Sequence, residues 1–385
     1  MRHAMKLKLF HVVLLLFLIA APLPVRAQET SPEEESFSGG VVCMPDAYPN
    51  GTSDCLPLGP SAYITSLASL GLTFPPRPFI AFKPSPDLAK VPYRYFHMAD
   101  DLPPKFYSSL VDAQAKSENA LTYAPGFVYI SYQSMDETGH FFLARSGHWI
   151  RGDGNRIHEF SSFQGLLFRE TPRVAFGWTI EQIPVKSGPG YRTAETGQFL
   201  PSLTVVQIYK TEIVNDTAWN MIGPNQWVEG RKVAVVTPNT TPPEGVTNDR
   251  WIEVNLEEQT IAVYENSQLV FATMGATGAE PFWTRPGVFQ IYEKKEAETM
   301  RNNDPADFYY LEDVPYTMYF DGARALHAAY WRTRFGYPQS HGCVNLSMGD
   351  ARWLFDWANV GDWVYVHDPS GKTPTDPALY QGGAY

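Results

Sequence analysis

Trp251-Ile252-Glu253-Val254-Asn255-Leu256, Thr260-Ile261-Ala262-Val263-Tyr264 and Leu269-Val270-Phe271-Ala272 are three short runs with the polar triplets Glu257-Glu258-Gln259 and Glu265-Asn266-Ser267 between them. The first two alternate apolar and polar side chains, the period of a strand that buries one face, and the polar triplets between them are turn chemistry. Three antiparallel strands that open a sheet are therefore expected, with one face laid on a core. Outward from them lie Thr284-Arg285-Pro286-Gly287, a strand over 288–292, a polar excursion over 293–307, a strand over 316–320 and Ala325-Leu326-His327. An excursion of that length in a compact unit reads as a functional flap. Further on, Ser347 can cap a helix holding Asp350, Ala351, Trp353, Leu354 and Trp357, which Gly361 ends before a last strand over 363–366. The tail is 368–385.

Upstream, Thr237-Pro238-Asn239-Thr240-Thr241-Pro242-Pro243-Glu244-Gly245 is too rich in Pro and small polar residues to continue a strand, so 238–248 reads as a linker and 249–367 as a unit of its own. The 385 residues, 44% of them hydrophobic and 14% aromatic, are enough for two or three cores. Pro and Gly are abundant, and short Val-, Ile-, Tyr-, Phe- and Trp-rich runs recur between turn residues, so the chain reads as mainly β. A faint repeat runs through the middle: Phe141, Trp149 and Gly152 have the spacing of Trp219, Trp227 and Gly230. Residues 93–168 and 169–237 are accordingly expected to be two small β modules, the first a divergent copy of the second. Their tryptophans read as core fillers rather than ligand-stacking rings.

At the N-terminus, Arg2, Lys6 and Lys8 precede an apolar run from Val12 to Ala21, then Pro22, Pro24 and Ala27. This is the layout of a signal peptide over 1–27, too short for a comfortable membrane span. A secreted protein with no stable span after cleavage is expected. Cleavage would remove four basic and no acidic side chains and leave the chain more acidic than its formal −11, which argues against nucleic acid as a partner. Residues 28–92 read as a Pro-rich leader carrying Cys43 and Cys55, close enough for a short disulfide loop.

The third cysteine, Cys343, has no evident partner and lies in Ser340-His341-Gly342-Cys343-Val344-Asn345. A thiol attacks a carbonyl as thiolate, so it needs an imidazole or a donor-rich turn nearby. His327 closes a strand sixteen residues earlier, and the fifteen-residue loop between can fold the two together. His341 would point the same way as Cys343 in an extended segment, as a second imidazole or a donor to the oxyanion. Backbone N–H groups at Gly342 and Cys343, ahead of the helix, suit an oxyanion hole, and glycine lets a substrate come close to the backbone. A zinc site would lack a fourth ligand beside Cys343, His341 and His327, so neither metal nor cofactor is expected. Tyr316, Met318 and Phe320 alternate along a strand and either line a groove or pack in the core. Arg332 and Arg334 on the loop either meet substrate carboxylates or face solvent.

His327-Ala328-Ala329-Tyr330-Trp331, Phe335-Gly336 and Ser340-His341-Gly342-Cys343-Val344-Asn345-Leu346 resemble the signature of the L,D-transpeptidase catalytic domain, and the strand order of 249–367 is similar to that family's. The resemblance implies a β-sandwich-like domain with one short helix after the nucleophile, acting outside the cytoplasmic membrane on the stem peptides of peptidoglycan. It implies Cys343 as nucleophile, His327 as general base and Ala328 as the residue whose backbone carbonyl orients that base. Ser340, His341, Gly342 and Asn345 match the surround of the nucleophile, and Ser340, Asn345, Trp331 and Tyr316 are the candidate substrate contacts. Ala328 departs from the Gly or Ser frequent in the family, and the connection from His327 to Ser340 is short. Residues 172–237 resemble a bacterial SH3-like module associated with the cell wall, through Val185-Lys186-Ser187-Gly188-Pro189-Gly190 and the Trp219 and Trp227 pair. The expected function is a secreted transpeptidase that forms a thioester with a donor tetrapeptide, releases D-alanine and passes the acyl group to an acceptor amine. The competing readings are a hydrolase using the same thioester and an inert wall-binding protein.

Overall fold

A computed structural model describes residues 79–152 and 156–380. The signal segment, the Cys43 and Cys55 loop, the leader up to residue 78 and the end of the tail lie outside the described residues. The first strands are β1 (Arg94–His97), β2 (Lys105–Tyr107), β3 (Leu121–Thr122), β4 (Phe127–Met135), β5 (Phe141–Ala144), β6 (Trp149–Arg151) and β7 (Leu166–Leu167), with the short helix α1 (Leu110–Ala115) between β2 and β3. The middle of the chain holds β8 (Ala175–Thr179), β9 (Ile183–Lys186), β10 (Glu195–Leu200), β11 (Val205–Ile208), β12 (Lys210–Val214), β13 (Thr217–Gly223), β14 (Gln226–Glu229) and β15 (Val233–Val236). After the Pro-rich linker come β16 (Arg250–Asn255), β17 (Thr260–Glu265), β18 (Gln268–Met274), β19 (Gly287–Gln290), β20 (Glu293–Asn302), β21 (Tyr309–Asp321), β22 (Arg324–Ala328), β23 (Val344–Leu346), the helix α2 (Met348–Trp357) and β24 (Trp363–His367). The protein is mainly β.

The alternation seen from residue 251 onward resolves into a β-sandwich. Strands β16, β17 and β18 pair antiparallel, as expected, and the sheet runs β19-β24-β16-β17-β18-β7, with β24 returning parallel to β16. Its inner face presents Ile252, Val254, Ile261, Val263 and Phe271 to Val314, Met318 and Phe320 of β21, Leu326 of β22 and Val344 of β23. Helix α2 closes this core with Met348, Ala351, Leu354 and Phe355. Its cap is the expected one, since Ser347 Oγ accepts the Asp350 N–H at 3.3 Å. The sheet is apolar on its second face as well: Trp251, Tyr264 and Met274 share a cluster with Phe176, Trp178 and Val236 of β8 and β15. The linker therefore separates two segments that pack on each other.

The polar excursion is a strand rather than a loop. Glu293–Asn302 pairs along β21 from Asn302↔Tyr309 to Glu293↔Tyr319, with a bulge near Glu298. A larger departure concerns 93–168, expected to be a free-standing module. Strand β4 lies parallel to the start of β21, with Tyr309↔Phe127, Tyr310↔Val128 and Leu311↔Tyr129 in register. One ten-stranded sheet thus runs β23-β22-β21-β4-β5-β6-β2-β3, with β1 on β4 and β20 on β21. The expected module is an extension of the sheet that carries the site, and the repeat spacing at Trp149 and Trp227 does not mark two copies of one fold.

Residues 175–236 form a five-stranded sheet, β10-β9-β14-β13-β12, and a three-stranded one, β11-β8-β15, around Ile183, Val185, Leu200, Val206, Ile208, Val228 and Val233. Trp178, Trp219 and Trp227 are all buried, which makes them core fillers. Gly177 lets β8 run close to β15, since a Cβ there would stand 2.1 Å from the Ala234 carbonyl oxygen.

Candidate active site

Parallel pairing of β22 with β23 sets Leu326 beside Val344 and His327 beside Asn345, which puts the histidine and the cysteine loop at one sheet end. The loop is pinned from the opposite sheet. Asn345 and Ala276 exchange both backbone hydrogen bonds at 3.0 Å, and the Ser340 N–H donates to the Thr277 carbonyl at 2.9 Å. Thr284 Oγ1 donates to the Gly342 carbonyl at 2.8 Å. Gly342 has φ +112, a conformation that favours glycine, and a Cβ there would stand 3.1 Å from Arg324 Nε. Ser340 braces this turn: its hydroxyl donates to the Cys343 carbonyl at 2.5 Å and accepts the Gly342 N–H at 3.1 Å. That occupies the Gly342 N–H expected to receive an oxyanion. The sequence also placed Cys343 just ahead of the helix, whereas the strand β23 lies between them.

His327, Cys343, Asn345, Trp331, Ser340 and His341 all line one cleft of about 280 Å³, together with residues that the motif does not contain, among them Phe127, Asp307 and Arg332. His327 is buried. Its Nδ1 lies 3.0 Å from the Ala328 carbonyl, as the resemblance implied, and because a carbonyl can only accept, the ring proton belongs on Nδ1. Nε2 is then a lone pair and accepts from Asn345 Nδ2 at 3.1 Å. Asn345 is fixed in that orientation by Arg332, whose Nε donates to Asn345 Oδ1 at 2.5 Å. Burial holds the imidazole down at about 4, with the Ala328 bond opposing and Arg332 adding to the effect.

The thiol of Cys343 faces the Ala323 carbonyl at 3.8 Å, and among the described residues no hydrogen bond joins it to His327. Burial pushes it up to about 11, against the opposing pull of the Ala325 N–H and the Arg324 guanidinium. Thiol and imidazole both rest neutral. His341 is engaged with Asp307 and two aromatic rings. Its Nε2 lies 3.0 Å from Asp307 at the hairpin tip, and its ring packs near Phe282 and Tyr309, with centroids at 4.7 and 5.2 Å. The second imidazole thus ties the β20–β21 hairpin to the cysteine loop. Tyr316, a candidate substrate contact, is a core residue. It is buried against Phe355, and its hydroxyl accepts from Arg352 at 3.3 Å.

Four contributors were not singled out as site groups. Asp307 lies inside the excursion read as a flap, and Arg324 two residues ahead of Leu326, so both stood close to the motif. Glu298, whose charge raises the Cys343 thiol, arrives through the hairpin register. Phe127 reaches the cleft only because β4 joins β21, which no local pattern announces.

Residues 249–366 match the family model of the YkuD domain, the L,D-transpeptidase catalytic domain, which supports that reading for this segment. Among solved structures, an L,D-transpeptidase from Stackebrandtia nassauensis is 29% identical, with 33% of this chain and 57% of that one covered at a TM-score of 0.27. This chain therefore spans a little over half of that protein. The catalytic domain of the E. faecium L,D-transpeptidase is 28% identical, covering 32% of this chain and 100% of that one at a TM-score of 0.29. An L,D-transpeptidase from Mycobacterium smegmatis is 19% identical, covering 42% and 90% at a TM-score of 0.30. No curated protein matches the chain.

Proposed function

We propose that the chain is a secreted peptidoglycan L,D-transpeptidase, acting in the cell wall with Cys343 as its nucleophile. What carries the reading is the convergence of a thiol, a buried neutral imidazole and an asparagine on one cleft inside the segment matched by the L,D-transpeptidase model. In the acylation step the Asn345 amide leaves His327 Nε2, the thiol takes its place, and Nε2 accepts the Sγ proton as sulfur attacks the carbonyl of the donor's L,D bond. The Cys343 N–H remains on this turn for the oxyanion, since Ser340 already holds the Gly342 N–H. Collapse breaks the C–N bond, and Nε2 returns the proton to the departing D-alanine amine. An acceptor amine then attacks the thioester, loses its proton to Nε2, and expels the thiolate, which takes that proton back.

The β8–β15 unit is read as an SH3-like module that helps place the enzyme on the wall. Mixing the mature protein with a disaccharide-tetrapeptide donor and weighing it intact tests the assignment. The expected species is a covalent adduct short of D-alanine, lost in Cys343→Ala. Persistence of that adduct in Cys343→Ala would remove Cys343 from the reaction, and acyl release to water with no amine product would make the protein a hydrolase.

A further inference from the structure

The charged groups lining the cleft are unevenly satisfied. Asp307 and His341 pair with each other, but Arg332 meets no carboxylate among the described residues. Its donors go to neutral oxygens only: Nε to Asn345 Oδ1 at 2.5 Å, Nη1 to Gln339 Oε1 at 3.0 Å, and Nη2 to the Gln339 carbonyl. Burial lowers its pKa to about 10, the mark of a cation held without a counter-charge. Loop cations normally stay solvated, as Arg334 does here on the exposed side of the same loop, over the Tyr337 ring. A guanidinium drawn into a cleft against neutral acceptors is a fork shaped for a carboxylate. Gln339 is exposed and supplies two of the three acceptors, so an incoming anion competes with the side-chain amide and backbone carbonyl of one surface residue.

Resting on the transpeptidase reading, we propose that Arg332 is the receptor for the free α-carboxylate of the donor's terminal residue, and so limits cleavage to the last bond of the stem. The chemistry of the donor fits. The D-alanine that leaves carries its carboxylate one Cα beyond the scissile nitrogen, on the leaving-group side, where His327 must also deliver its proton. Arg332 reaches His327 through Asn345, so the group that senses the chain end also touches the group that fixes the base. A stem longer by one residue, or one ending in an amide, puts no negative charge at that place.

The test compares two donors on the full mature chain, a disaccharide-tetrapeptide with a free terminal acid and the same compound as terminal amide, by rates of adduct formation on Cys343. Wild type should favour the acid by about 10- to 150-fold in kcat/KM, the span expected for hydrogen bonds to a charged group. Arg332→Met should bring the ratio to near one, mostly by slowing the acid, and Arg332→Lys should keep part of it because the charge remains. Three results overturn the assignment: a wild-type ratio near one, unchanged rates with both donors in Arg332→Met, or a fall in both donors alike with the ratio kept. The last would make Arg332 a positioning residue for Asn345 alone. If wild type is acylated by neither donor, the transpeptidase reading itself fails, which is a separate result from acylation without discrimination.

Discussion

Cys343 and His327 rest as a neutral pair, and that sets a measurable reactivity. A thiol at about 11 is ionised in about three molecules per ten thousand at pH 7.5, against about one in ten for an ordinary cysteine near 8.5. Its scarcer thiolate is about tenfold more nucleophilic, so alkylation by iodoacetamide should run about 30-fold slower than for free cysteine at that pH. The rate should climb about tenfold per pH unit from pH 6 to 10 with no shoulder, because an imidazole held at about 4 titrates below that window. The assay is the pseudo-first-order loss of unmodified mass over a pH series, with Cys343→Ala correcting for any reaction at Cys43 and Cys55. A plateau between pH 5 and 9 would show a thiolate–imidazolium pair and refute the neutral resting state drawn from the Asn345 bond to Nε2.

His327→Gln should slow acylation by about 10²- to 10⁴-fold while leaving the melting temperature within a few degrees, read by single-turnover mass spectrometry and thermal denaturation. Glu312 is buried, takes the Ser131 N–H at 3.0 Å, and is raised to about 7 by that burial. Its native state holds the proton more tightly than the unfolded chain, so stability should fall by about 3 kcal/mol as pH rises from about 4.5 to 7, and Glu312→Gln should abolish that slope in denaturant titrations. Gly342→Ala should cost about 1 to 3 kcal/mol from its left-handed backbone and bring acylation close to zero. Wild-type rates from a stable Gly342→Ala would show that the turn tolerates a side chain.

Local chemistry was readable and long-range pairing was not. The strands of 251–272 and the cap at Ser347 follow from alternation and capping, each within a few residues, and the Ala328 carbonyl against His327 is what the family resemblance implied. The parallel join of β4 to β21 links residues far apart in the chain, and nothing in Phe127 to Met135 distinguishes a strand of a small module from one that completes another sheet. The Pro-rich stretch at 237–245 likewise marks a break in regular structure but not a break in packing, since Trp178 and Trp251 share one cluster. Tyr316 shows the limit of alternation: it identifies two faces of a strand without saying which one is the cleft.

The join at β4 bears on the chemistry as well as the fold. Phe127 lines the cleft beside Phe308, and its N–H donates to the Phe308 carbonyl at 3.1 Å. A Cβ at Gly126 would stand 2.3 Å from that same oxygen, so the close approach depends on glycine. On the next strand over, Tyr95 of β1 stacks on Tyr330 at 3.5 Å, and their hydroxyls donate to the Asp313 and Glu312 carbonyls at 2.6 and 2.8 Å. Tyr330 stands between His327 and Arg332 in the chain, directly before Trp331. His327, the Trp331 side of the cleft and Arg332 are thereby backed by a strand from outside the segment that the family model covers. Positioning at the level of a few tenths of an ångström decides whether a thiol, an imidazole and a carbonyl meet. The sheet extension is therefore part of the scaffold of the candidate site, and under the proposed transpeptidase function the motif and residues more than two hundred positions away would set donor geometry jointly.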